Sequence, residues 1–315
     1  MQSILNQRHR YHACGLRVVS DIALPSLLDA MGEDDRAEIE IAHGSVPEKL
    51  EEPLLRSGPN WELAPTRFLL RVPPVGRFLI EEGTRIYYQP AQGKSPEDLT
   101  AFLTGSVMGL LLHLRGALVI HGSAVEVGGR AAIFCGISGA GKSSLAAALG
   151  RRGYPMVSDD LSTLAWDEHR NLRLWPDGRK HKLWAKAITA LNLSDRQGDG
   201  VRQQIHKFHV EPAAVTTGPL PVGWIYELGE DRRDPQVRIE RASLPDAAVL
   251  MRRNAFRAKI MWELDQKDGY FLAAAQIART SGFFHIKRPL DFTRMDEVLD
   301  KLVAHWDKTS AEERA

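Results

Sequence analysis

Cysteine is scarce in this chain. Only two cysteines occur among 315 residues, Cys14 and Cys135, and they lie far apart in the sequence. So low a count argues against a disulfide framework and against a metal site built from thiolates. A reducing, cytoplasmic setting is therefore our expectation.

An excess of charge of either sign is also missing. The 41 basic side chains are balanced by 40 acidic ones, which leaves a net charge of +1. No strong electrostatic field is available to attract nucleic acid, so we expect no nucleic-acid partner. Any cationic binding site must come from a local cluster.

Long hydrophobic runs are absent too. The N-terminal segment, residues 1–15, lacks the apolar core of a signal peptide. The most apolar stretch, residues 107–120, is too short to span a bilayer and carries His113 and Arg115. We interpret this stretch as a buried helix followed by a strand, and we expect no membrane partner.

The composition that remains is that of a globular protein with a core, with 43% hydrophobic and 26% charged residues. The length is enough for about two domains. Residues 67–72 alternate, and residues 77–88 are typical of a hairpin that turns at Glu82 and Gly83, so the first part of the chain is predicted to be β-rich. It shows no chemical constellation. We expect an accessory domain that packs, oligomerises or holds a substrate.

A helix-start signal marks the boundary of this domain. Ser95 suits the N-cap, Pro96 suits the first helical position, and Asp98 completes a capping-box pattern. Gly116 can end the helix. We therefore predict a β-rich domain in residues 1–94 and a second domain in residues 95–315.

The second domain contains the pattern G-x-x-x-x-G-K-[ST], which reads GISGAGKS in residues 136–143. An apolar run without alternation, residues 131–135, precedes it and is typical of a strand covered on both faces. A helical segment follows, which Gly153 can end, and residues 154–160 predict a short strand with two carboxylates at its end. Strand, loop, helix and strand form the context that a phosphate-binding loop requires.

The residue types of this loop suit a triphosphate. Glycines let the backbone fold tightly enough to point its N–H groups at phosphate oxygens, and the next helix adds its dipole. Lys142 can reach the β- and γ-phosphates, and Ser143 can ligate Mg²⁺. We predict ATP and Mg²⁺ as cofactors, although the loop does not separate ATP from GTP; the alternative is a glycine-rich turn that binds nothing. The predicted nucleotide-binding residues are Gly136, Ser138, Gly139, Ala140, Gly141, Lys142, Ser143 and Ser144.

Asp159 and Asp160 follow an apolar strand that we expect to lie beside the loop strand. Ligands gather at the carboxyl ends of such strands. One carboxylate could help Ser143 to hold Mg²⁺, and the other could orient or deprotonate a hydroxyl nucleophile. The alternative is a helix cap and a solvated charge. His121 ends the strand that precedes a hairpin, and a lone histidine in that position is more often structural than catalytic.

The run from His121 to Asp160 resembles the core of HPr kinase/phosphorylase, without gaps, across about forty residues. The resemblance implies an α/β fold, with a P-loop core like that of HPr kinase and phosphoenolpyruvate carboxykinase beside a smaller β-rich N-terminal domain. In that family the histidine and the first aspartate act on the phosphoryl acceptor. This implies a catalytic role for His121, the role of base for Asp159, of phosphate lysine for Lys142 and of metal-binding hydroxyl for Ser143. Asp160 is then the carboxylate that we expect to help Ser143 at the metal.

The chain also departs from that family. The glycine-rich signature that follows the Asp-Asp strand, with its metal-binding glutamate and its arginine, is missing, and residues 174–188 read LWPDGRKHKLWAKAI instead. A kinase without the phosphorylase reaction is the simpler interpretation. HPr kinases form hexamers, so a homo-oligomer remains an option.

Two short motifs point to a subgroup. Residues 14–28, CGLRVVSDIALPSLL, and Pro176 ahead of Lys182-Leu183-Trp184 resemble motifs of the HPr-kinase-like proteins encoded with lasso peptide biosynthesis. Members of that subgroup phosphorylate the C-terminal serine of a precursor peptide. This resemblance implies a peptide or small-protein partner for the chain, in addition to the nucleotide.

Three basic clusters could clamp a transferring phosphoryl group or a peptide carboxylate, namely residues 179–182, 202–207 and 252–259. Ordinary solvated surface is the alternative for each.

The polar segment 193–208 is predicted to be a loop that closes over substrate. At the C-terminal end, residues 295–306 predict an amphipathic helix, with frayed residues from 308 onward. The candidate substrate residues are Lys182, Arg202, Lys207, Arg253 and Arg257.

These observations favour an ATP- and Mg²⁺-dependent kinase that phosphorylates a serine hydroxyl of a peptide or small protein. Two alternatives stay open. The acceptor could be a small molecule such as free serine, or the chain could be a regulator that senses ATP without transferring phosphate.

Overall fold

The computed structural model describes residues 8–30, 36–93, 96–201, 206–231 and 236–312. Two residues with predicted roles, Ser95 as a helix cap and Arg202 as a substrate contact, lie outside the described residues.

The N-terminal part forms a mixed sheet of eight strands, in agreement with the β-rich prediction. The hairpin of residues 77–88 turns at Glu82 and Gly83, where both residues have positive φ. The strands lie side by side in the order β1-β2-β3-β8-β7-β6-β5-β4. They are β1 (His9–Ala13), β2 (Leu16–Ser20), β3 (Ile39–His43), β4 (Arg56–Gly58), β5 (Trp61–Leu63), β6 (Arg67–Val72), β7 (Gly76–Glu81) and β8 (Arg85–Pro90).

One continuous helical segment covers one face of this sheet. It consists of α1 (Pro96–Phe102), a π-helical turn (Leu103–Val107) and α2 (Met108–Leu114), and Gly116 with φ of 79° follows its end, as predicted. Its apolar residues share one hydrophobic core with the sheet. The predicted boundary near residue 95 is therefore a change of secondary structure but not a boundary in packing.

The second part is built around a nine-stranded mixed sheet and a small three-stranded sheet. In the large sheet the strands follow the order β12-β10-β11-β18, β18 then pairs with both β14 and β20, and the branches end in β13-β9 and in β19. The small sheet has the order β15-β17-β16. The strands are β9 (Leu118–Ile120), β10 (Gly122–Val127), β11 (Arg130–Cys135), β12 (Met156–Asp159), β13 (Ser162–Trp166), β14 (Leu172–Trp175), β15 (His181–Trp184), β16 (Gln197–Gly200), β17 (Lys207–Val210), β18 (Leu220–Glu230), β19 (Arg238–Arg241) and β20 (Phe283–Arg288).

Helices cover both faces of the large sheet, which confirms the prediction for residues 131–135. Phe134 points into the core on the side of α3 and α8, whereas Ile133 points into the core on the side of α5 and α7. Burial on both faces explains why the strand shows no alternation. The helices are α3 (Lys142–Arg151), α4 (Ala185–Ala190), α5 (Leu244–Arg253), α6 (Ala258–Glu263), α7 (Lys267–Thr280) and α8 (Met295–Glu312).

The position of β12 corrects one prediction. The strand that ends at Asp159 pairs with β10 and does not lie beside the loop strand β11. The reason is the tight turn at Gly128 and Gly129, which folds β10 back against β11 and occupies that side. Because β10 is antiparallel to both neighbours, β11 and β12 still run in the same direction and end at the same edge.

Two further predictions need correction. Segment 193–208 is predicted to be a loop, but its described residues include β16 and the start of β17. These two strands are held by hydrogen bonds between their backbones, which a polar sequence does not reveal. Residues 308–312 were predicted to be frayed, but they continue α8. The apolar stripe of α8 is buried as predicted.

No helix among the described residues is long and apolar enough to cross a membrane.

Candidate active site

The phosphate-loop motif connects β11 to α3. Gly136, Gly139 and Gly141 have φ of 132°, 87° and 85°, a backbone region that other residues rarely adopt. A Cβ at Gly136 would lie 2.9 Å from the backbone oxygen of Leu228, so only glycine fits there. The loop thus curls back over the end of the sheet, at the N-terminus of a ten-residue helix.

Lys142 lies over this loop without an acidic partner in the described structure. Its side chain is 7% exposed, and Nζ donates to the carbonyl oxygens of Gly136 (2.9 Å) and Ile137 (3.1 Å). Burial lowers the pKa of the ammonium. A buried cation with only neutral acceptors, beside a curled glycine backbone, fits the phosphates of a nucleotide.

Asp159 is enclosed by donors. Oδ1 accepts from Ser123 Oγ at 2.5 Å, Oδ2 accepts from the Lys182 backbone N–H at 2.8 Å, and the side chain is 1% exposed. Burial would raise the pKa of this carboxyl, but the nearby His181 ring and these hydrogen bonds lower it to about 2. Asp159 is therefore ionised at neutral pH, and both of its oxygens are occupied.

Asp160 is the more open carboxylate. It follows the end of β12 with a positive φ of 89°, and 25% of its side chain is exposed. Oδ1 lies 3.0 Å from His121 Nδ1 and Oδ2 accepts from Lys182 Nζ at 3.0 Å. Burial would raise the pKa of Asp160, but Lys182, His121 and Arg179 together hold it well below its usual range.

Asp177 and Arg179 are buried next to the two carboxylates. Asp177 accepts the backbone N–H of Asp159 at 2.6 Å, and burial raises its pKa to about 8. Arg179 is 1% exposed, with Nε 3.7 Å from Asp177 Oδ2 and Nη1 3.9 Å from Asp160 Oδ2. This pair fixes the strand end that carries Asp159 and Asp160.

One cavity of about 1180 Å³ brings most of the predicted residues together. Its lining includes the loop, both carboxylates and His121, and of the predicted nucleotide-binding residues only Ala140 packs beneath the loop instead. The volume exceeds the roughly 300–1,000 Å³ of ordinary ligand pockets, so a nucleotide and part of an acceptor can be present together. The predicted substrate residues that line it are Lys182, Lys207, Arg253 and Arg257.

The two arginines are held differently. Arg253 is more than half exposed and pairs with Glu227. Arg257 donates to Ser106 Oγ, and burial lowers the pKa of its guanidinium. Arg257 therefore forms part of the wall, whereas Arg253 can swing toward a ligand.

Two lining residues were missed from the sequence, Glu227 on β18 and Arg288 at the end of β20. Both strands are parallel to β11, so their carboxyl ends reach the edge from which the loop rises. A signal existed for Glu227, which follows the apolar run of residues 222–226, but not for Arg288, which follows Lys287. The sequence does not show which strands are neighbours, so it does not reveal that β18 and β20 end beside the phosphate loop.

The oxygens present also fit Mg²⁺. The described residues contain no group of three or more His, Cys, Asp or Glu side chains that could hold a metal by themselves. Mg²⁺ usually takes one or two carboxylates and fills its other positions with phosphate oxygens and water. The Ser143 hydroxyl and a carboxylate of the same cavity match this requirement.

Comparison with known proteins finds sequence similarity over part of the chain. Two curated proteins, HPr kinase/phosphorylase from two strains of Limosilactobacillus reuteri, are each 33% identical to the chain over 92 residues. The chain is similar to HPr kinase/phosphorylase over this stretch. The match covers 29% of this chain and 29% of each relative, so it spans well under half of their length. No protein-family model matches the chain.

A solved structure was matched as well. The Hpr(Ser) kinase/phosphatase from Coxiella burnetii aligns with 62% of this chain and 97% of its own, with 14% identity and a TM-score of 0.29. A TM-score at this level does not establish a shared fold.

Proposed function

We propose that the chain is a kinase that uses ATP and Mg²⁺ to phosphorylate a serine hydroxyl of a peptide or small protein. One observation carries the proposal: a single cavity holds Lys142 and the glycine loop together with Asp159, Asp160 and His121. The loop alone would suit any ATPase. The carboxylate and imidazole beside it add a group that can receive a hydroxyl proton.

ATP supplies the phosphoryl group, and Mg²⁺ offsets its negative charge. Lys142 would exchange its carbonyl partners for phosphate oxygens, and the Ser143 hydroxyl would help to hold Mg²⁺. The acceptor hydroxyl approaches the pair formed by Asp160 and His121. Its oxygen forms the new bond to phosphorus, its proton passes to the carboxylate, and ADP leaves.

The contacts favour a different division of roles from the one expected from the sequence, in which Asp159 is the base and Asp160 binds the metal. The oxygens of both carboxylates have partners, but Asp160 is a quarter exposed and contacts the imidazole of His121, whereas Asp159 is 1% exposed and is held by Ser123 and the Lys182 backbone. We therefore assign the proton to Asp160. Asp159 would hold the backbone of Lys182 in place.

Asparagine variants separate these roles. If Asp160 is the base, Asp160→Asn loses phosphoryl transfer by about 10²-fold or more, while its affinity for ATP and its Mg²⁺ requirement stay unchanged. A raised Mg²⁺ requirement would assign it to the metal instead. Full transfer activity in Asp160→Asn together with loss in Asp159→Asn would restore Asp159 as the base.

The finer identity of the acceptor rests on the two short motifs. Segment 14–28 packs against segment 176–182, because the Leu28 N–H donates to the Gly178 carbonyl (2.7 Å) and the Lys180 N–H donates to the Ser26 carbonyl (2.9 Å). The second segment carries Lys182 into the cavity. From the resemblance of the two motifs, we propose a C-terminal serine of a precursor peptide, such as a lasso precursor, as the acceptor.

Mass spectrometry after incubation with ATP and Mg²⁺ tests the function. The acceptors are a peptide with a C-terminal serine, a protein with an internal serine, and free serine, with Lys142→Ala as the inactive control. We expect one added phosphate on one acceptor. ATP binding without phosphate on any acceptor would overturn the kinase and favour an ATP-sensing regulator.

A further inference from the structure

A second, smaller cavity adjoins the phosphotransfer cavity. Its volume is about 400 Å³, and Ala101, Lys182 and Val201 line both cavities. This size suits a small ligand or one terminal residue of a larger one. Lys182 is the one charged residue among these three shared residues.

His209, on β17, forms part of the wall of this smaller cavity. The side chain is 6% exposed, and Nδ1 has no hydrogen-bond partner in the described structure. Buried polar atoms are nearly always paired, so an unpaired ring nitrogen beside a cavity indicates a partner that arrives with a ligand.

The charge around His209 is positive. Burial, together with Lys182, Lys180, Arg179 and Lys207, lowers the pKa of His209 to about 4. Lys182 and Arg179 both lie near Asp160, and Lys180 pairs with Glu211. Lys207 makes no ion pair with a described residue. Cations therefore outnumber the ionised carboxylates beside them, which favours a negatively charged ligand, although the exposed Asp199 at the rim opposes it.

Hydroxyl groups complete the wall. Ser26 Oγ donates to Thr104 Oγ1 at 2.9 Å, and Thr104 Oγ1 donates to the Thr100 carbonyl at 2.9 Å. Pro25 and Ala101 supply a small apolar surface beside them. The N-terminal part of the chain therefore builds part of this cavity.

We propose that this cavity binds the carboxylate of the phosphate acceptor, so that the acceptor carries a carboxylate next to its hydroxyl. The inference rests on the proposed kinase function. Lys182 connects the catalytic carboxylates to the small cavity. Its backbone N–H donates to Asp159 and its Nζ donates to Asp160, and the residue also lines the small cavity. In serine the carboxylate and hydroxyl lie within one residue's length, roughly 3.5 Å. A terminal or free serine therefore carries both groups close together, whereas an internal serine has no free carboxylate.

Calorimetric titration with matched probes tests the site on the unaltered protein, with Mg²⁺ and a non-hydrolysable ATP analogue present. The probes are N-acetyl-Ala-Ser with a free carboxylate, the same peptide as its C-terminal amide, and L-serine. We expect the acid to bind at least about tenfold more tightly than the amide, because hydrogen bonds to a charged group contribute this much. Equal affinities, or no binding of either acid probe, would overturn the proposal. Preference for the peptide acid or for L-serine identifies the source of the carboxylate.

A variant ties the effect to the cavity. His209→Gln should reduce the advantage of the acid over the amide while leaving affinity for the ATP analogue unchanged. His169→Gln is the matched control, since His169 is exposed and lines neither cavity. An unchanged preference in a folded His209→Gln would refute the placement. The acid–amide comparison on unaltered protein decides the question even if the variant does not fold.

Transfer assays keep this inference apart from the proposed function. Equal phosphorylation of the acid and the amide would refute the carboxylate site but not the kinase function. Tighter binding of the acid, with no phosphate transferred to any acceptor, would refute the kinase function but not the carboxylate site.

Discussion

The guanidinium of Arg288 lies under the phosphate loop, where Nη2 donates to the Ala140 carbonyl at 2.8 Å. The side chain is 3% exposed, and Nε has no hydrogen-bond partner in the part of the chain that the structure describes. Burial lowers the pKa of this arginine to about 10. A buried cation without a paired carboxylate is costly to the folded state, unless an anion binds nearby.

Replacing this arginine should therefore have opposite effects on stability and on binding. Arg288→Met should leave the nucleotide-free protein as stable as the parent or more stable, because a buried charge is removed. Its affinity for ATP should fall by about tenfold or more, since a cation beneath the phosphates is lost. Urea unfolding and nucleotide titration measure the two effects. Arg151→Met, at an exposed position of α3, is the control. Lower stability with unchanged ATP affinity would make Arg288 a structural residue.

Single residues were predictable where a local pattern carried the chemistry. The glycine loop, Lys142 and the Asp-Asp pair have fixed spacings, and the structure places them in one cavity. Asp177, Glu227 and Arg288 have no such pattern. Their positions depend on which strands are neighbours and on which buried backbone N–H groups need an acceptor, and neither is local information.

Among the elements, the loop between β11 and α3 offers a matched pair of glycines. Gly139 and Gly141 have nearly the same φ, 87° and 85°. A Cβ at Gly139 meets no atom within 4 Å, whereas a Cβ at Gly141 would lie 2.6 Å from Arg288 Nη2. The two positions share the same backbone strain and differ in their surroundings.

Alanine at each position should separate strain from displacement of the arginine. Gly139→Ala should lower the free energy of unfolding of the nucleotide-free protein by about 1 kcal/mol, the cost of a left-handed alanine. Gly141→Ala should lower it by about 1 kcal/mol more, because Arg288 must give up its bond to Ala140. Chemical denaturation of both variants provides the comparison. Equal losses would mean that the arginine relocates without cost.

Element types followed from periodicity, but the order of the strands did not. The run of residues 131–135, the helix after the loop and the hairpin turn were each predictable from local signals. The placement of β12 beside β10 was not, because the same short apolar sequence suits a strand parallel to β11 and a strand antiparallel to β10. The small sheet was missed for a related reason, since β16 (QGDG) is polar and is ordered by pairing with β17.

At the scale of the whole molecule, the N-terminal sheet is joined to the candidate active site through segment 176–182. Gly178, with φ of 63°, lies against β1, and a Cβ there would be 1.8 Å from the backbone oxygen of His12. Backbone atoms cannot yield as a flexible side chain can. The close approach therefore couples the accessory sheet to the segment that carries Lys182.

Alanine at Gly178 should thus act at a distance from the nucleotide. Gly178→Ala should force β1 and segment 176–182 apart, raise the KM for the acceptor by about tenfold, and leave ATP affinity near that of the parent, because the glycine loop belongs to another element. Gly128→Ala is the matched control: its φ of 55° imposes similar strain, but a Cβ there meets no atom within 4 Å. Steady-state kinetics with both substrates and thermal unfolding of both variants measure the difference. If the two variants lost equal stability and kept the parent's acceptor KM, the N-terminal sheet would have no part in acceptor binding, and the carboxylate cavity that it helps to line would lose its main structural support.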